Sequence, residues 1–510
     1  MRKHLKRILI FIMVLAMVVP AVTAITNRAQ ASQQGSTKVA NEDVVISSLS
    51  TKAPKYIFLF IGDGMSYPQI QAASYYLGTM KSNGGVETQD LEFMNFPVAG
   101  TAKTFDSTSF CPDSASTATS IATGYKTYSG TINMDTTLTI PYETISEKLK
   151  QQKGYKIGVI SSVNLNHATP AAFYAHQASR NNYYEIGIEM VESGFDYFAG
   201  GALLKPTGNS GNEKDLYKVA EASGYKVIKT QEEAEKLTAK DGKAIVIAET
   251  LADSSAMSYD LDAAEGEWRL ADYVEKGIEV LDNNTGFFMM VESGKIDWAC
   301  HANDAAATIQ DTIAFGKAVD TAIDFYKKHP NDTLILVTGD HETGGLTIGF
   351  AGTKYDTFMT NLANQKISYA KFDSDYITRY KKYDTKFETV LSDIKANFGL
   401  MPSYDKDASK NPTLVLTDYE YHKLLDAYNM TMNGIKQLTQ EEKLLYGSYE
   451  PLTVTITHIL NNKSGIDFTS YSHTGVPVPV FAIGNGQDMF EGYYDNTDIF
   501  KRLAQLTAVK

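Results

Sequence analysis

Tyr56-Ile57-Phe58-Leu59-Phe60-Ile61, followed without a break by Gly62-Asp63-Gly64-Met65, is an apolar run that stops at an acid between two glycines. A continuous run rich in Ile and Phe predicts a strand buried on both faces, the kind that parallel sheets contain. The same order recurs along the chain. Lys156-Ile157-Gly158-Val159-Ile160 leads to Ser161, Ser162 and then Asn166-His167-Ala168-Thr169-Pro170, and Phe287-Phe288-Met289-Met290-Val291 leads to Glu292 and Asp297. Leu334-Ile335-Leu336-Val337-Thr338 leads to Gly339-Asp340-His341-Glu342. One acid at a strand end carries little information, but four strand ends carrying Asp63, Thr169, Glu292 with Asp297, and Asp340 with His341 predict one converging site.

Helical periodicity fills the intervals, at Tyr142–Gln152, Tyr183–Ser193, Glu267–Asn283 and Asp304–Lys328. Alternation of buried strands and helices predicts an α/β fold: a three-layer, doubly wound sandwich with a mainly parallel central sheet, whose ligands gather outside the carboxyl ends of the strands. From about 345 to 445 the texture changes to many Tyr, Lys and Asp residues, with helical pieces at Phe387–Asn397 and Tyr419–Asn429. This stretch predicts a cap-like insertion over the sheet, peripheral to the chemistry and supplying a dimer contact or the rim of a cleft. The core resumes with a helix at Thr453–Leu460, a loop through Ser472-His473-Thr474-Gly475, a strand at Val478–Ile483 and a last helix at Thr497–Leu506.

The amino terminus reads as an address. Arg2, Lys3, Lys6 and Arg7 precede an apolar run from Ile8 to Val19 and then small residues ending at Ala24, with a second small-x-small site at Ala29-Gln30-Ala31. Residues 1–31 therefore read as an export signal peptide and 32–54 as a flexible lead-in to a catalytic domain spanning 55–510. The apolar run is short for a spanning anchor, no second such segment follows, and no cysteine offers a lipid attachment point, so no stable membrane anchor is expected. Cleavage after Ala31 removes five cations and no acid, taking the formal net charge from -13 to -18. So acidic a chain lacks the basic stripe that nucleic acid requires. With Cys111 and Cys300 alone, an exported protein does not rest on a disulfide framework; two inert thiols are expected, with a link between them left open.

Cys111-Pro112-Asp113-Ser114-Ala115-Ser116-Thr117-Ala118-Thr119 runs on to Gly124 almost entirely in Ala, Ser and Thr. A helix starting near Asp113 would place Ser114 at an N-terminus, where unpaired N–H groups and the helix dipole favour an anion. An Asp/Ser start is also an ordinary cap, and this stretch alone does not choose. Asp297-x-x-x-His301 lets a carboxylate and an imidazole meet one ion, with a third ligand from a distant loop such as that of His473. Carboxylate and imidazole without thiolate suit zinc with open positions, and the oxygen donors Asp63, Thr169 and Glu292 suit magnesium.

These residues, in this order, resemble the alkaline phosphatase family. The match includes Gly62-Asp63-Gly64-Met65, Pro112-Asp113-Ser114-Ala115-Ser116 with Thr123-Gly124, His167-Ala168-Thr169-Pro170-Ala171-Ala172 with Ser179-Arg180, Val291-Glu292 to Asp297 and His301, Thr338-Gly339-Asp340-His341-Glu342, and His473-Thr474-Gly475. The resemblance implies hydrolysis of phosphate monoesters through a phosphoserine on Ser114, with inorganic phosphate released. It implies two Zn2+, one on Asp297, His301 and His473 and one on Asp63, Asp340 and His341, one Mg2+ on Asp63, Thr169 and Glu292, and Arg180 on the phosphate. It also implies an exported enzyme and a homodimer. His167 stands where the best-known bacterial branch has Asp, and Trp298 where it has Lys; both positions lie just outside the metal ligands and bear on how tightly the magnesium is held. A related phosphodiesterase or nucleotidase of the same superfamily is the alternative, against which Ser114, Arg180, Thr169 and Glu292 all argue.

Overall fold

Side chains alternating along one strand set the layering of this molecule. In the computed structural model, which describes residues 52–434 and 437–510, strand β1 (Tyr56–Gly62) sends Tyr56, Phe58 and Phe60 into one apolar layer and Ile57, Leu59 and Ile61 into the other. The signal peptide and nearly all of the lead-in lie outside the described residues. The first layer is completed by the helices Tyr67–Lys81, Leu270–Leu281 and Ala305–Lys328, through Ile70, Val274 and Phe315. The second is completed by Ser114–Thr123, Ile145–Lys153, Tyr183–Glu192 and Thr497–Thr507, through Ala118, Leu149, Ile186 and Leu503. The result is the expected three-layer α/β sandwich.

Nine further strands join β1 in one sheet: β2 (Val98–Lys103), β3 (Lys156–Asn164), β4 (Tyr197–Gly201), β5 (Lys226–Ile228), β6 (Ala244–Ile247), β7 (Phe287–Ser293), β8 (Thr333–Gly339), β9 (Val478–Gly484) and β10 (Tyr493–Asp495). Their order is β10-β2-β9-β8-β1-β7-β3-β4-β6-β5. All pairings are parallel except those of β9, which runs against both β8 and β2. Gly62 lies opposite Ser293 on one side and Gly339 on the other, so β1, β7 and β8 end flush. Val480 lies opposite Thr338, so the reversed β9 begins at the edge where its parallel neighbours end. That reversal brings His473 to the site.

Capping fixes the helix starts more sharply than periodicity does. The helix foreseen from Tyr142 begins at Ile145, because Thr144 and Glu147 form a capping box, and Asp304 caps the long helix by accepting from the Ala307 N–H. Between β8 and β9 the chain folds into helices that include Phe387–Phe398, Asp418–Asn433, Gln440–Tyr446 and Pro451–Ser464. Their Val390, Ile394, Leu424, Ile456 and Leu460 are buried in the first apolar layer with Ile309 and Phe315. Among the described residues no helix is long and apolar enough to cross a membrane.

Candidate active site

The flush strand ends present Asp63, Glu292 and Asp340 side by side. The turn after Asp63 can come so close to the next element only because Gly64, at φ +71°, has no side chain: a Cβ there would meet the Asp297 Cα at 2.9 Å. The short helix Lys295–His301 stacks Asp297 and His301 one turn apart, and a two-residue ladder pairs His473 with Thr343. Two sets of donor atoms result, Asp63/Asp340/His341 and Asp297/His301/His473, each lying within 4.8 Å of one another.

Hydrogen bonds at the far side of each imidazole fix what faces the centre. His301 Nδ1 donates to the Tyr471 carbonyl at 2.6 Å and His473 Nδ1 donates to the Pro112 carbonyl. A neutral ring carries one N–H, so both Nε2 atoms present lone pairs, and they point at each other across 3.0 Å. The third imidazole follows the same logic. Thr343 Oγ1 donates to Asp297 Oδ1 at 2.6 Å and so accepts from His341 Nδ1 at 3.2 Å, which leaves His341 Nε2 bare, 3.5 Å from Asp63 Oδ1 and 3.3 Å from Asp340 Oδ2. Lone pairs and carboxylate oxygens converging on two points form donor sets able to hold cations.

Ser114 is the first residue of a helix buried along its whole length, capped by Asp113. Its Oγ lies 3.1 Å from His341 Nε2 and 3.4 Å from Asp63 Oδ1. Thr169 Oγ1 donates to the other oxygen of Asp63 at 3.0 Å, and Ser161 donates to Glu292 Oε2, while the buried Glu292 Oε1 has no hydrogen-bond partner. Asp63 thus borders both Ser114 and the oxygen donors Thr169 and Glu292. Arg180 donates to Asp113 Oδ2 at 2.8 Å and approaches His167 Nε2 at 3.4 Å, and the Trp298 ring stands edge-on to His167 at 5.9 Å.

Electrostatics separates the two sets. Burial, with Asp340, Asp297 and Glu292 nearby, pushes the Asp63 carboxyl well above its usual range. Burial and Asp297 raise Asp340 to about 7, and burial raises Glu292 to about 7. Burial pushes His341 and His473 down to about 4, so both are neutral ligands near pH 7. Asp297 goes the other way: against its burial, His301, His473 and His341 hold it well below the carboxylate range. Carboxyls that resist ionising together, beside an unpartnered Glu292 oxygen, fit a site completed by cations.

Sequence reasoning missed several positioning residues. Asp113, quoted there as a helix start, accepts from the Ser116 and Gly130 N–H groups and from Arg180, and against its partial burial Arg180 holds the Asp113 carboxyl below the ordinary range. Thr343 ties Asp297 to His341, and Gln69 donates to Glu342 at 2.7 Å. An acid three residues before an amide hydrogen it could accept was a visible signal for Asp113; nothing local pointed to Arg180 as its partner. Cys111 is exposed, Cys300 is buried, and neither forms a disulfide.

Known proteins share the sequence and the fold. The chain is 30% identical over 461 residues to Alkaline phosphatase 4 of Bacillus subtilis, covering 88% of each sequence. Among solved structures it is similar to the cold-active alkaline phosphatase of a psychrophilic Shewanella, with TM-score 0.71, 28% identity, and 89% of this chain and 99% of that one covered. A histidine-to-aspartate mutant of the Antarctic TAB5 alkaline phosphatase, with Mg bound in its M3 site, matches at TM-score 0.60 and 25% identity over 90% of this chain and 99% of that one. The alkaline phosphatase family profile spans residues 54–509, and this chain belongs to that family, as an enzyme that hydrolyses phosphate monoesters.

Proposed function

We propose that hydrolysis proceeds through a phosphoserine on Ser114, with zinc held by Asp297, His301 and His473 and by Asp63, Asp340 and His341, and magnesium held by Asp63, Thr169 and Glu292. The observation that carries this reading is Ser114 Oγ, 3.1 Å from His341 Nε2 and 3.4 Å from Asp63 Oδ1 at the start of a buried helix. Bound cations would supply Lewis acidity to the attacking and departing oxygens of an in-line displacement. Ser114 Oγ forms a bond to phosphorus as the bond to the alcohol oxygen breaks, and the helix N-terminus favours the charge gathering there. Arg180 is oriented by Asp113, which accepts from Nη1, and by His167 Nε2 beside Nη2, and the other N–H groups of the fork are available to grip non-bridging oxygens. Water then cleaves the phosphoserine, returning the Ser114 hydroxyl and releasing inorganic phosphate; two inversions give net retention at phosphorus.

The alcohol departs on the side opposite Ser114, toward Asp297, His301 and His473. Rates on an aryl phosphate monoester, a diester and a sulfate ester, each with and without chelator, test the reaction. The monoester is expected to be fastest and to depend on metal; faster turnover of the diester would overturn it. The basic, apolar leader supports export. A homodimer draws support from the sheet edge formed by β10 and β2, where Tyr493 is 66% exposed and Tyr67, also exposed, meets Thr101. Light scattering that returned the mass of one chain would remove the dimer.

A further inference from the structure

Asp106 is a buried carboxylate that the proposed reaction does not use. It lies in the loop between β2 and the helix Ser114–Thr123. Its Oδ1 accepts from the Thr108 N–H at 2.7 Å, the Thr108 hydroxyl at 2.8 Å and the Ser109 N–H at 2.7 Å. Its Oδ2 accepts from Ser116 Oγ at 2.8 Å and from Ser129 Oγ. The first oxygen folds the carboxylate's own loop. The second reaches two more distant residues, and both lead to Arg180.

Ser129 immediately precedes Gly130, and the two backbone groups of Gly130 hold Asp113 and Arg180 together. Its N–H donates to Asp113 Oδ1 at 2.8 Å, and its carbonyl accepts from the Arg180 N–H at 2.7 Å. Ser116 supplies the second route. Its hydroxyl has one hydrogen and two carboxylates in reach, Asp106 Oδ2 at 2.8 Å and Asp113 Oδ1 at 3.0 Å. With that hydrogen on Asp106, the Asp113 carboxylate keeps only the Ser116 and Gly130 N–H donors beside Arg180 Nη1, and more of its charge is left for the guanidinium. Against its burial, hydrogen bonds from Ser129, Thr108 and Ser116 hold the Asp106 carboxyl below the ordinary range, so it is ionised near pH 7. We propose that Asp106 is a positioning residue for phosphate binding, setting the Arg180 guanidinium through Ser129–Gly130 and, by way of Ser116, through Asp113. The inference rests on the reading of Arg180 as the group that grips the phosphate.

Asp106→Asn tests this in metal-loaded full-length enzyme. The new amide keeps its oxygen toward the Thr108 and Ser109 N–H groups, which cannot turn, and puts its NH2 toward the Ser116 and Ser129 hydroxyls, which can. Ser116 is then free to donate to Asp113, and the guanidinium loses part of its anchor. Inhibition by inorganic phosphate should weaken about fivefold, the size of one net hydrogen bond. KM for phenyl phosphate should rise by the same factor, with kcat moving by no more than about twofold. Ser129→Ala, which keeps the carboxylate and removes one donor, should weaken phosphate about twofold. Both effects should vanish when the same changes are made in Arg180→Ala, because a residue that acts through Arg180 then has nothing left to position. Metal content by elemental analysis should stay the same throughout. Unchanged phosphate inhibition in either variant, a loss that persists in Arg180→Ala, or a loss of metal would overturn the role of Asp106 and leave that of Arg180 intact. Phosphate inhibition of Arg180→Ala equal to that of the unmodified enzyme would instead take Arg180 off the phosphate, and this proposal with it.

Discussion

The two donor sets use the same residue types on opposite kinds of scaffold. Asp63, Asp340 and His341 follow adjacent strands whose register is locked from Tyr56 to Gly62, and all three are buried. Asp297, His301 and His473 come from a short helix and a returning loop, and the side chains of His301 and His473 remain 25% and 13% exposed. The sheet holds the first set whatever the loops do. The second depends on backbone carbonyls of Tyr471 and Pro112 to aim its imidazoles. The first set also crowds raised carboxyls beside Ser114, whereas the second contains a carboxylate already held ionised. In the proposed reaction the first side presents Ser114 and the second meets the departing group.

Removing the proposed nucleophile should have the largest effect. Ser114→Ala is expected to lower turnover by at least about 10⁴-fold and to abolish any acid-stable phosphoenzyme, with both sets keeping their metal by elemental analysis. Loss of metal from the first set in that variant would mean that Ser114 holds the site together rather than merely facing it.

His473→Ala should next separate the two sets. Loss of a direct ligand should weaken one ion by more than the roughly 10–100-fold typical of outer-shell changes, while the ion on Asp63, Asp340 and His341 stays. Chelator should likewise strip the unmodified enzyme in two phases, the exposed set first. A single phase, or loss of both ions from His473→Ala, would make the sets one cooperative unit.

Proton release sharpens the contrast. Asp340 and Glu292, raised to about 7, with Asp63 also raised, are largely protonated in the metal-free protein at pH 6 and must lose protons to bind cations, so affinity should rise from pH 5 to about 7 and level off above it. His473 near 4 and the ionised Asp297 release none over that range. Calorimetry in two buffers should therefore find protons released at pH 6 and almost none at pH 8.5 on the Asp63 side; release confined to the His301–His473 side would reverse the assignment. The smallest expected change is in His167→Asp. A carboxylate there can accept more hydrogen bonds from an ion's bound waters than the neutral ring, which burial pushes down to about 3, and should tighten magnesium about tenfold. Equal half-saturation of the two proteins in a magnesium titration would deny His167 a place beside the ion.

By itself, the sequence determined the strand ends and their chemistry. An apolar run followed by Asp63, Glu292 or Asp340 is a local signal, because a strand buried on both faces is mainly apolar and its polar residues gather toward the end where it leaves the core. The same holds for Asp297 and His301, one helical turn apart, and for Ser114 at the head of a small-residue helix. Only the tertiary structure decided the rest. The strands Val98–Lys103 and Tyr197–Gly201, rich in Ala and Gly, carry no such run and are strands because neighbours complete their hydrogen bonds. His473 reaches the site because one strand is reversed, Asp113 orients Arg180 across 67 positions, and Tyr471 aims His301 across 170. Nothing in local spacing encodes those pairings. They arise when packing two apolar faces onto one sheet fixes which distant loops share an edge.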